Sequence, residues 1–118
     1  MSFSRVELPS GLWAGHYVQM LMRHAQEMTL EFADGLIRGD GSDGIGPFTI
    51  DGEYRVDADE VRMGWIKTYN GEHSVLYLGK LENGKIVGKW RISMMTGSFA
   101  LAPAIASETV LARKPMSL

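Results

Sequence analysis

Two Asn-Gly pairs constrain the fold of this chain more than any other feature. They are Asn70-Gly71 and Asn83-Gly84, and both lie in the stretch EVRMGWIKTYNGEHSVLYLGKLENGKIVGKWRI, residues 60 to 92. Asn and Gly tolerate the positive φ of a tight hairpin turn, so an Asn-Gly pair between alternating runs is the strongest short-range hairpin signal. The sequence therefore predicts antiparallel strands on both sides of each pair.

The Asn83-Gly84 pair also predicts the register of its two strands. A two-residue turn there sets four pairs opposite one another: Leu81 and Ile86, Gly79 and Gly88, Tyr77 and Trp90, and Val75 and Ile92. Residues directly opposite in an antiparallel pair share one face of the sheet. This row is almost wholly apolar, so we expect it to face the core.

At Asn70-Gly71 the pattern favours a three-residue loop, Tyr69 to Gly71, over a two-residue turn. The shorter turn would leave Trp65 outside, whereas burial of a large apolar side chain is worth ~1.5–3 kcal/mol. The longer loop sets three pairs opposite one another: Lys67 and His73, Trp65 and Val75, and Met63 and Tyr77. Lys67 and His73 are therefore expected to face inward, close to this turn.

Alternating blocks recur along all 118 residues: 12–22, 28–32, 36–38, 48–54, 61–69, 73–81, 85–94 and 98–101. Turn signals separate most of them: Asp34-Gly35, Asp40 to Gly46, the two Asn-Gly pairs and Thr96-Gly97. Short strands joined by tight turns predict an all-β fold, a single antiparallel up-and-down barrel of about eight strands. We expect one domain over residues 1–118, with the barrel at about 11–101 and residues 102–118 as a last strand or a covering tail.

One block, HYVQMLMRHAQEM at residues 16–28, fits two structures. Its strong helix formers would suit an amphipathic helix. Strand is favoured because apolar and aromatic residues alternate there, with Trp13, Gly15, Tyr17 and Gln19 on one face and His16, Val18 and Met20 on the other.

The inward rows predict a core and a candidate ligand site. We expect Trp13, Tyr77, Trp90, Ile92 and Phe99 to be mostly buried. The candidate ligand-binding residues combine apolar bodies with polar tips, as ligand pockets do; they are Tyr17, Gln19, Tyr54, Lys67, His73, Tyr77 and Trp90. These side chains could equally fill a small barrel that has no cavity.

Lys67 needs a partner if it faces inward, because burying a charge is costly unless it reaches water, a carboxylate or a ligand. Either its ammonium reaches solvent at the open end of the barrel, or it meets the anionic end of an apolar or amphipathic ligand. A barrel enzyme that uses Lys67, His73 and Tyr69 in acid–base or Schiff-base chemistry is the alternative function. A structural module with a filled core is the third.

The outward rows carry apolar residues where a monomeric barrel would show polar ones. Val18, Met20, Met22, Leu76 and Leu78 are expected on the outside. Such a patch is typical of a partner surface, so these residues predict the interface of a homodimer or larger oligomer. A C-terminal tail folded over the patch is the competing interpretation.

Composition and motifs exclude several other classes. The formal net charge is −2, which argues against a nucleic-acid partner, and the chain has no Cys. No apolar run is long enough for a membrane helix, and no secretory signal is visible, so we expect a cytoplasmic protein without a membrane partner. GDGSDGIG, with Asp40 and Asp43, offers too few ligands for calcium, and Asp43 suits capping of backbone amides better. We expect no metal and no cofactor.

Four segments together resemble a known group of barrels: GLW at residues 11–13, DGLIRGDGSDGIGPFTIDGEY at 34–54, KTYNGEHSVLYLG at 67–79 and GKWRISMMTGSFAL at 88–101. They are similar to the calycin-type barrels, the lipocalin and avidin-like group, and within it to an uncharacterised bacterial family of small barrels. The resemblance implies a closed barrel in which Trp13 plugs one end. It does not indicate which ligand, if any, is bound.

Overall fold

A computed structural model describes residues 8–70 and 72–104 and confirms the predicted barrel. Its strands are β1 (Gly11–Gln19), β2 (Met22–Ala33), β3 (Leu36–Asp43), β4 (Pro47–Asp57), β5 (Glu60–Thr68), β6 (Ser74–Glu82), β7 (Lys85–Ile92) and β8 (Met95–Pro103). Each strand pairs with the next, and β8 returns to pair with β1, which closes the sheet. The described residues include no helical segment with the length and hydropathy of a membrane span. The segment SETVLARK, a candidate last strand, lies outside the described residues.

The ambiguous block at residues 16–28 is strand, turn and strand. β1 ends at Gln19 and pairs it with Met22 at the start of β2. Met20 and Leu21 form the turn, with φ of 53° and 66°. The prediction of strand is therefore confirmed, but a single strand that runs from residue 12 to 22 is wrong, because this turn uses neither Gly nor Asn and so carries no turn signal.

The register predicted at Asn83-Gly84 is confirmed. Both residues have positive φ, 54° and 79°, as a type I′ hairpin turn requires. The ladder pairs Leu81 with Ile86, Gly79 with Gly88 and Tyr77 with Trp90. The Asn83-Gly84 turn thus fixes the alignment of β6 and β7.

The register predicted at Asn70-Gly71 is wrong by two residues. Lys67 pairs with Val75, Trp65 with Tyr77 and Met63 with Gly79. The connection is wider, since the Tyr69 amide donates to the His73 carbonyl and the Glu72 amide donates to the Tyr69 carbonyl. This alignment lets Trp65 stack on Tyr77, with ring centroids 5.6 Å apart. A shift of two preserves the facing of β5, so Lys67 still points inward, while His73 becomes an exposed residue of the connection.

The glycine-rich stretch from Asp40 to Gly46 is mostly strand, not turn. β3 extends to Asp43 because Gly39 and Gly41 allow it to approach β2 closely. A Cβ at these positions would lie 2.0 Å from the Thr29 carbonyl oxygen and 2.2 Å from that of Glu27. Glycines that resemble a loop here permit a close strand contact instead.

The turn predicted at Thr96-Gly97, between β7 and β8, is wrong. The turn falls at Ser93 and Met94, and Thr96 and Gly97 lie inside β8. Gly97 is needed for packing, since a Cβ there would come within 2.5 Å of the Trp90 indole nitrogen.

The core prediction holds for four of its five residues. Trp13, Tyr77, Trp90 and Phe99 are buried, whereas Ile92 is only half-buried. Trp13 is fully buried at the end where β1 begins, in edge-to-face contact with Phe32 at 5.9 Å. The turns at 20–21, 44–46, 69–73 and 93–94 all lie at the opposite end, which we call the mouth.

Trp90 provides a test of this packing. Its indole nitrogen donates to the Val18 carbonyl at 2.9 Å, and its side chain is 5 % exposed. We expect Trp90→Ala to lower the free energy of unfolding by ~3–5 kcal/mol in urea, because the change leaves a cavity and an unpaired carbonyl. Met94→Ala, at a site that is 94 % exposed, should stay within ~0.5 kcal/mol of wild type. Equal effects of the two changes would contradict the barrel register.

Candidate functional site

Lys67 is completely buried inside the barrel. β5 directs it inward, and its ammonium donates to three oxygens: Asp43 Oδ2 at 2.6 Å, Gln26 Oε1 at 2.8 Å and the Tyr77 hydroxyl at 3.3 Å. Of the alternatives for an inward Lys67, the route to solvent is therefore wrong. A carboxylate of the protein satisfies the charge instead and offsets the cost of burying it.

Asp43 is the centre of this polar cluster. Its side chain is fully buried against Lys67, and Oδ2 also accepts from the Tyr69 hydroxyl at 2.5 Å. Oδ1 accepts from the amides of Ile45 at 2.8 Å and Gly46 at 3.4 Å. The predicted amide cap at Asp43 is thus confirmed, and the same carboxylate holds the ion pair.

Aromatic rings surround the ammonium of Lys67. The ring centroids of Tyr17, Phe48, Tyr69 and Tyr77 lie between 4.3 and 5.4 Å from Nζ. Ring faces attract a cation by their quadrupole, most strongly where water is excluded. These four rings therefore add to the stabilisation of the Lys67 ammonium that the three hydrogen bonds supply.

Burial affects the pKa of every titratable group in the cluster. It lowers the pKa of Lys67, and the Asp43 carboxylate opposes that shift. Burial by itself would raise the pKa of Asp43, but hydrogen bonds from Lys67 and Tyr69 outweigh it, so the pKa of this carboxyl lies below its ordinary value. Burial also raises the pKa of Tyr17, Tyr69 and Tyr77. The hydroxyls consequently stay protonated, and the cluster is a compensated ion pair among neutral phenols.

A pocket of about 100 Å³ opens at the mouth, directly above this cluster. It brings together five of the seven predicted ligand-binding residues, Tyr17, Gln19, His73, Tyr77 and Trp90. Lys67 lies below the pocket and does not line it. Tyr54 is at the other end of the barrel, where its ring meets that of Phe32 at 5.8 Å.

Sequence reasoning missed Asp43 and Gln26 as partners of Lys67. Gln26 was never singled out, and Asp43 was assigned to a loop. The inward orientation of Asp43 follows from the alternation of β3, in which Ile37 is also inward. The glycines of this segment resemble a loop, so the strand was not predicted from the sequence. An inward lysine was itself the available signal, since a buried lysine is rarely found without a partner, and a carboxylate on a facing strand is one such partner.

The predicted interface residues do not form one surface. Leu76 and Leu78 lie outward on β6 as expected, and Leu78 is 56 % exposed. Val18 is outward on β1, a strand that neighbours β2 and β8 but not β6. Met20 is 87 % exposed in the turn after β1, and Met22 is 64 % exposed at the start of β2. Both are exposed as expected, but they lie at the mouth and not on the outer wall of a strand, and the oligomer interface stays a prediction.

Comparison of the chain with protein-family models, curated proteins and solved structures gave no match. The closed eight-stranded barrel is compatible with a calycin-like fold, and membership of that family stays a prediction. The described residues contain no group of three His, Cys, Asp or Glu that could hold a metal ion.

A double-mutant cycle tests the buried pair. Asp43→Asn alone should lower the free energy of unfolding by ~3–5 kcal/mol, because it leaves the Lys67 charge without a carboxylate. Asp43→Asn combined with Lys67→Met should cost clearly less than the sum of the two single changes. The exposed pair Arg38–Asp51, at 3.9 Å, is the matched control and should show a coupling below ~1 kcal/mol. Additive costs at the buried pair would refute the ion pair.

The lowered pKa of Asp43 predicts an acid-sensitive fold. A carboxyl with a folded pKa below its unfolded value of ~3.9 stabilises the protein fully above that value, and the contribution is lost as the pH falls through the folded pKa. Urea unfolding from neutral to acidic pH should therefore show a loss of stability that is shallower in Tyr69→Phe, which removes one hydrogen bond to Asp43. An unchanged acid profile in this variant would contradict the assigned role of Tyr69.

Proposed function

We propose that the barrel binds a small uncharged amphiphile at its mouth. The polar head would lie in the pocket above Lys67 and Asp43, among Tyr17, Gln19 and His73. The observation that carries this proposal is the coincidence of an open pocket with a buried ion pair whose two charges already neutralise each other. The apolar part of the ligand would then extend toward the mouth, along Ile45, Ile92 and Met95, which also line the pocket.

The charge of the ligand is inferred from the hydrogen bonding of Lys67. An ammonium has three donors, and all three are used within the protein. An anionic ligand would have to displace Asp43 from a buried contact, which is costly. An uncharged hydroxyl or amide needs only hydroxyl and amide groups such as those of Tyr17 and Gln19, which line the pocket, so an uncharged head group is favoured over an anionic one.

The size of the pocket limits which part of a ligand enters. Ligand sites that enclose a whole molecule usually span ~300–1,000 Å³, whereas this pocket has about 100 Å³. Below it, Trp65, Tyr77 and Phe99 fill the interior, with ring centroids 4.7 to 5.6 Å apart. A head group fits, and the remainder of the molecule stays at the opening.

The enzyme alternative has one supporting observation, the lowered pKa of Lys67. A Schiff base would require Nζ to reach a carbonyl carbon in the pocket, yet Nζ is buried beneath the pocket and bonded to three oxygens. His73 is exposed at the mouth, where its ring lies 5.0 Å from that of Tyr69. This arrangement favours binding over catalysis.

Two tyrosines form a matched pair for the binding test. Titration with 1-octanol, followed by tryptophan fluorescence, should show binding to wild type at least about tenfold tighter than octanoate. Tyr17→Phe removes a hydroxyl from the pocket and should weaken 1-octanol binding about two- to tenfold. Tyr54→Phe removes the same group at the opposite end and should have no effect. Preferred binding of octanoate that is lost in Lys67→Met would instead support an anionic ligand.

Self-association through β6 is retained as a second, separate proposal. Ile66, Leu76 and Leu78 border a groove of about 510 Å³ on the outside of β4 to β6, and apolar surface of this kind suits a two-fold contact. A native mass spectrum of freshly purified protein reports the subunit number and any retained ligand together. We expect a dimer that Leu78→Lys converts to folded monomers, and a wild-type monomer at micromolar concentration would contradict it.

A further inference from the structure

Exposed apolar side chains are concentrated at the mouth of the barrel. Of ten exposed large apolar residues in the described part of the chain, six lie at or beside the mouth turns. They are Met20, Leu21, Met22, Ile45, Met94 and Met95, and we call them the mouth collar. Leu21 is 98 % exposed and Met94 is 94 % exposed, so nothing within the described barrel covers them.

The requirements of the turn at 20–21 do not explain its two apolar residues. Met20 and Leu21 have φ of 53° and 66°, a conformation in which Asn, Asp or Gly is less strained. Left-handed backbone at such residues costs ~1–3 kcal/mol. An apolar residue that is strained in its backbone and exposed to solvent gains stability from neither its conformation nor burial. Such a residue points to a function.

The collar consists of separate hairpin tips around an opening. The tips at 20–21, 44–46 and 93–94 project from three different hairpins. Separated tips leave gaps when pressed on a rigid surface, but each can enter a deformable apolar medium on its own. This shape fits the interface of a lipid bilayer, where apolar groups are buried just below the head groups.

The described mouth carries a small excess of positive charge. Within two residues of its turns, Asp43 cancels Lys67, and the cations Arg23 and Arg91 outnumber one carboxylate, Glu72. At the opposite end carboxylates and cations occur together, and Glu60 pairs with Arg62 at 3.4 Å and Glu82 with Lys80 at 3.5 Å. An anionic surface would therefore attract the mouth.

We propose that the mouth collar docks on the surface of a bilayer that contains anionic lipid, with the mouth pocket facing the lipid. The inference goes beyond the proposed ligand site and does not depend on it. It differs from the sequence-based expectation of no membrane partner, which rested on the lack of a spanning segment and not on surface contact. A second copy of the chain is a poorer occupant, because contact between two mouths would bring the Arg23 and Arg91 side chains of one copy close to those of the other, and like charges repel.

Sedimentation with vesicles tests this docking. The full chain is mixed with vesicles of phosphatidylcholine alone or of phosphatidylcholine with phosphatidylserine, and the bound fraction is measured against lipid concentration. We expect binding to the anionic vesicles, weakened by salt. Leu21→Asn combined with Met94→Asn should weaken binding at least about tenfold, because two apolar insertions are removed. Asn also tolerates the left-handed backbone at position 21.

Matched variants separate the collar from general surface effects. Leu36→Asn removes an apolar side chain that is 46 % exposed away from the mouth, and it should bind like wild type. Arg23→Gln with Arg91→Gln should reduce the preference for anionic over neutral vesicles. Urea unfolding of each variant checks that it is folded.

Three outcomes would overturn the proposal. The first is absence of binding to anionic vesicles at millimolar lipid. The second is an equal loss in Leu36→Asn and in the Leu21 and Met94 double variant. The third is a wild-type dimer, in light scattering without lipid, that the double variant makes monomeric, because the collar would then belong to a second copy. None of these measurements uses 1-octanol, so failure here leaves the binding test of the pocket unaffected.

Discussion

The buried ion pair of Lys67 and Asp43 is the interaction on which the mouth half of the barrel depends. Removing two charges from water costs several kcal/mol per ion, and the attraction between them offsets this only when the remaining donors and acceptors are satisfied. Here the partners come from four strands: Gln26 on β2, Asp43 on β3, Lys67 on β5 and Tyr77 on β6. The polar cluster therefore links opposite walls of the barrel and penalises any change of register among these strands.

The same cluster determines what kind of site the mouth is. Because the ammonium and the carboxylate neutralise each other, the polar cluster beneath the pocket has no net charge, and the raised pKa of Tyr17 and Tyr69 keeps their hydroxyls protonated. The pocket floor is thus polar but carries no net charge. Lys67 acts through its neighbours: it positions Asp43 and the Tyr77 hydroxyl and makes no contact with the pocket.

The fold was predictable from the sequence because the barrel has a strong local signal. The alternation of apolar and polar residues predicts that Lys67 points inward, and the Asn83-Gly84 turn predicts the register of β6 and β7. The site was predictable only in part. Whether Asn70-Gly71 closes a short or a wide connection depends on the stacking of Trp65, which is a long-range contact. The strand that ends at Asp43 was hidden because Gly39 and Gly41 serve close packing and resemble a loop.

The two ends of the barrel solve one geometric problem with different residues. At the end opposite the mouth, two turns fill left-handed positions with Asp34-Gly35 and Asn83-Gly84, which suit that backbone, while the third uses Ala58. At the mouth, Met20 and Leu21 adopt the same left-handed conformation. Left-handed positions without Gly, Asn or Asp thus occur at both ends, and what distinguishes the mouth is the size and exposure of its apolar side chains. Turn geometry does not require large apolar tips, and contact of the mouth with an apolar surface would be a physical reason for them.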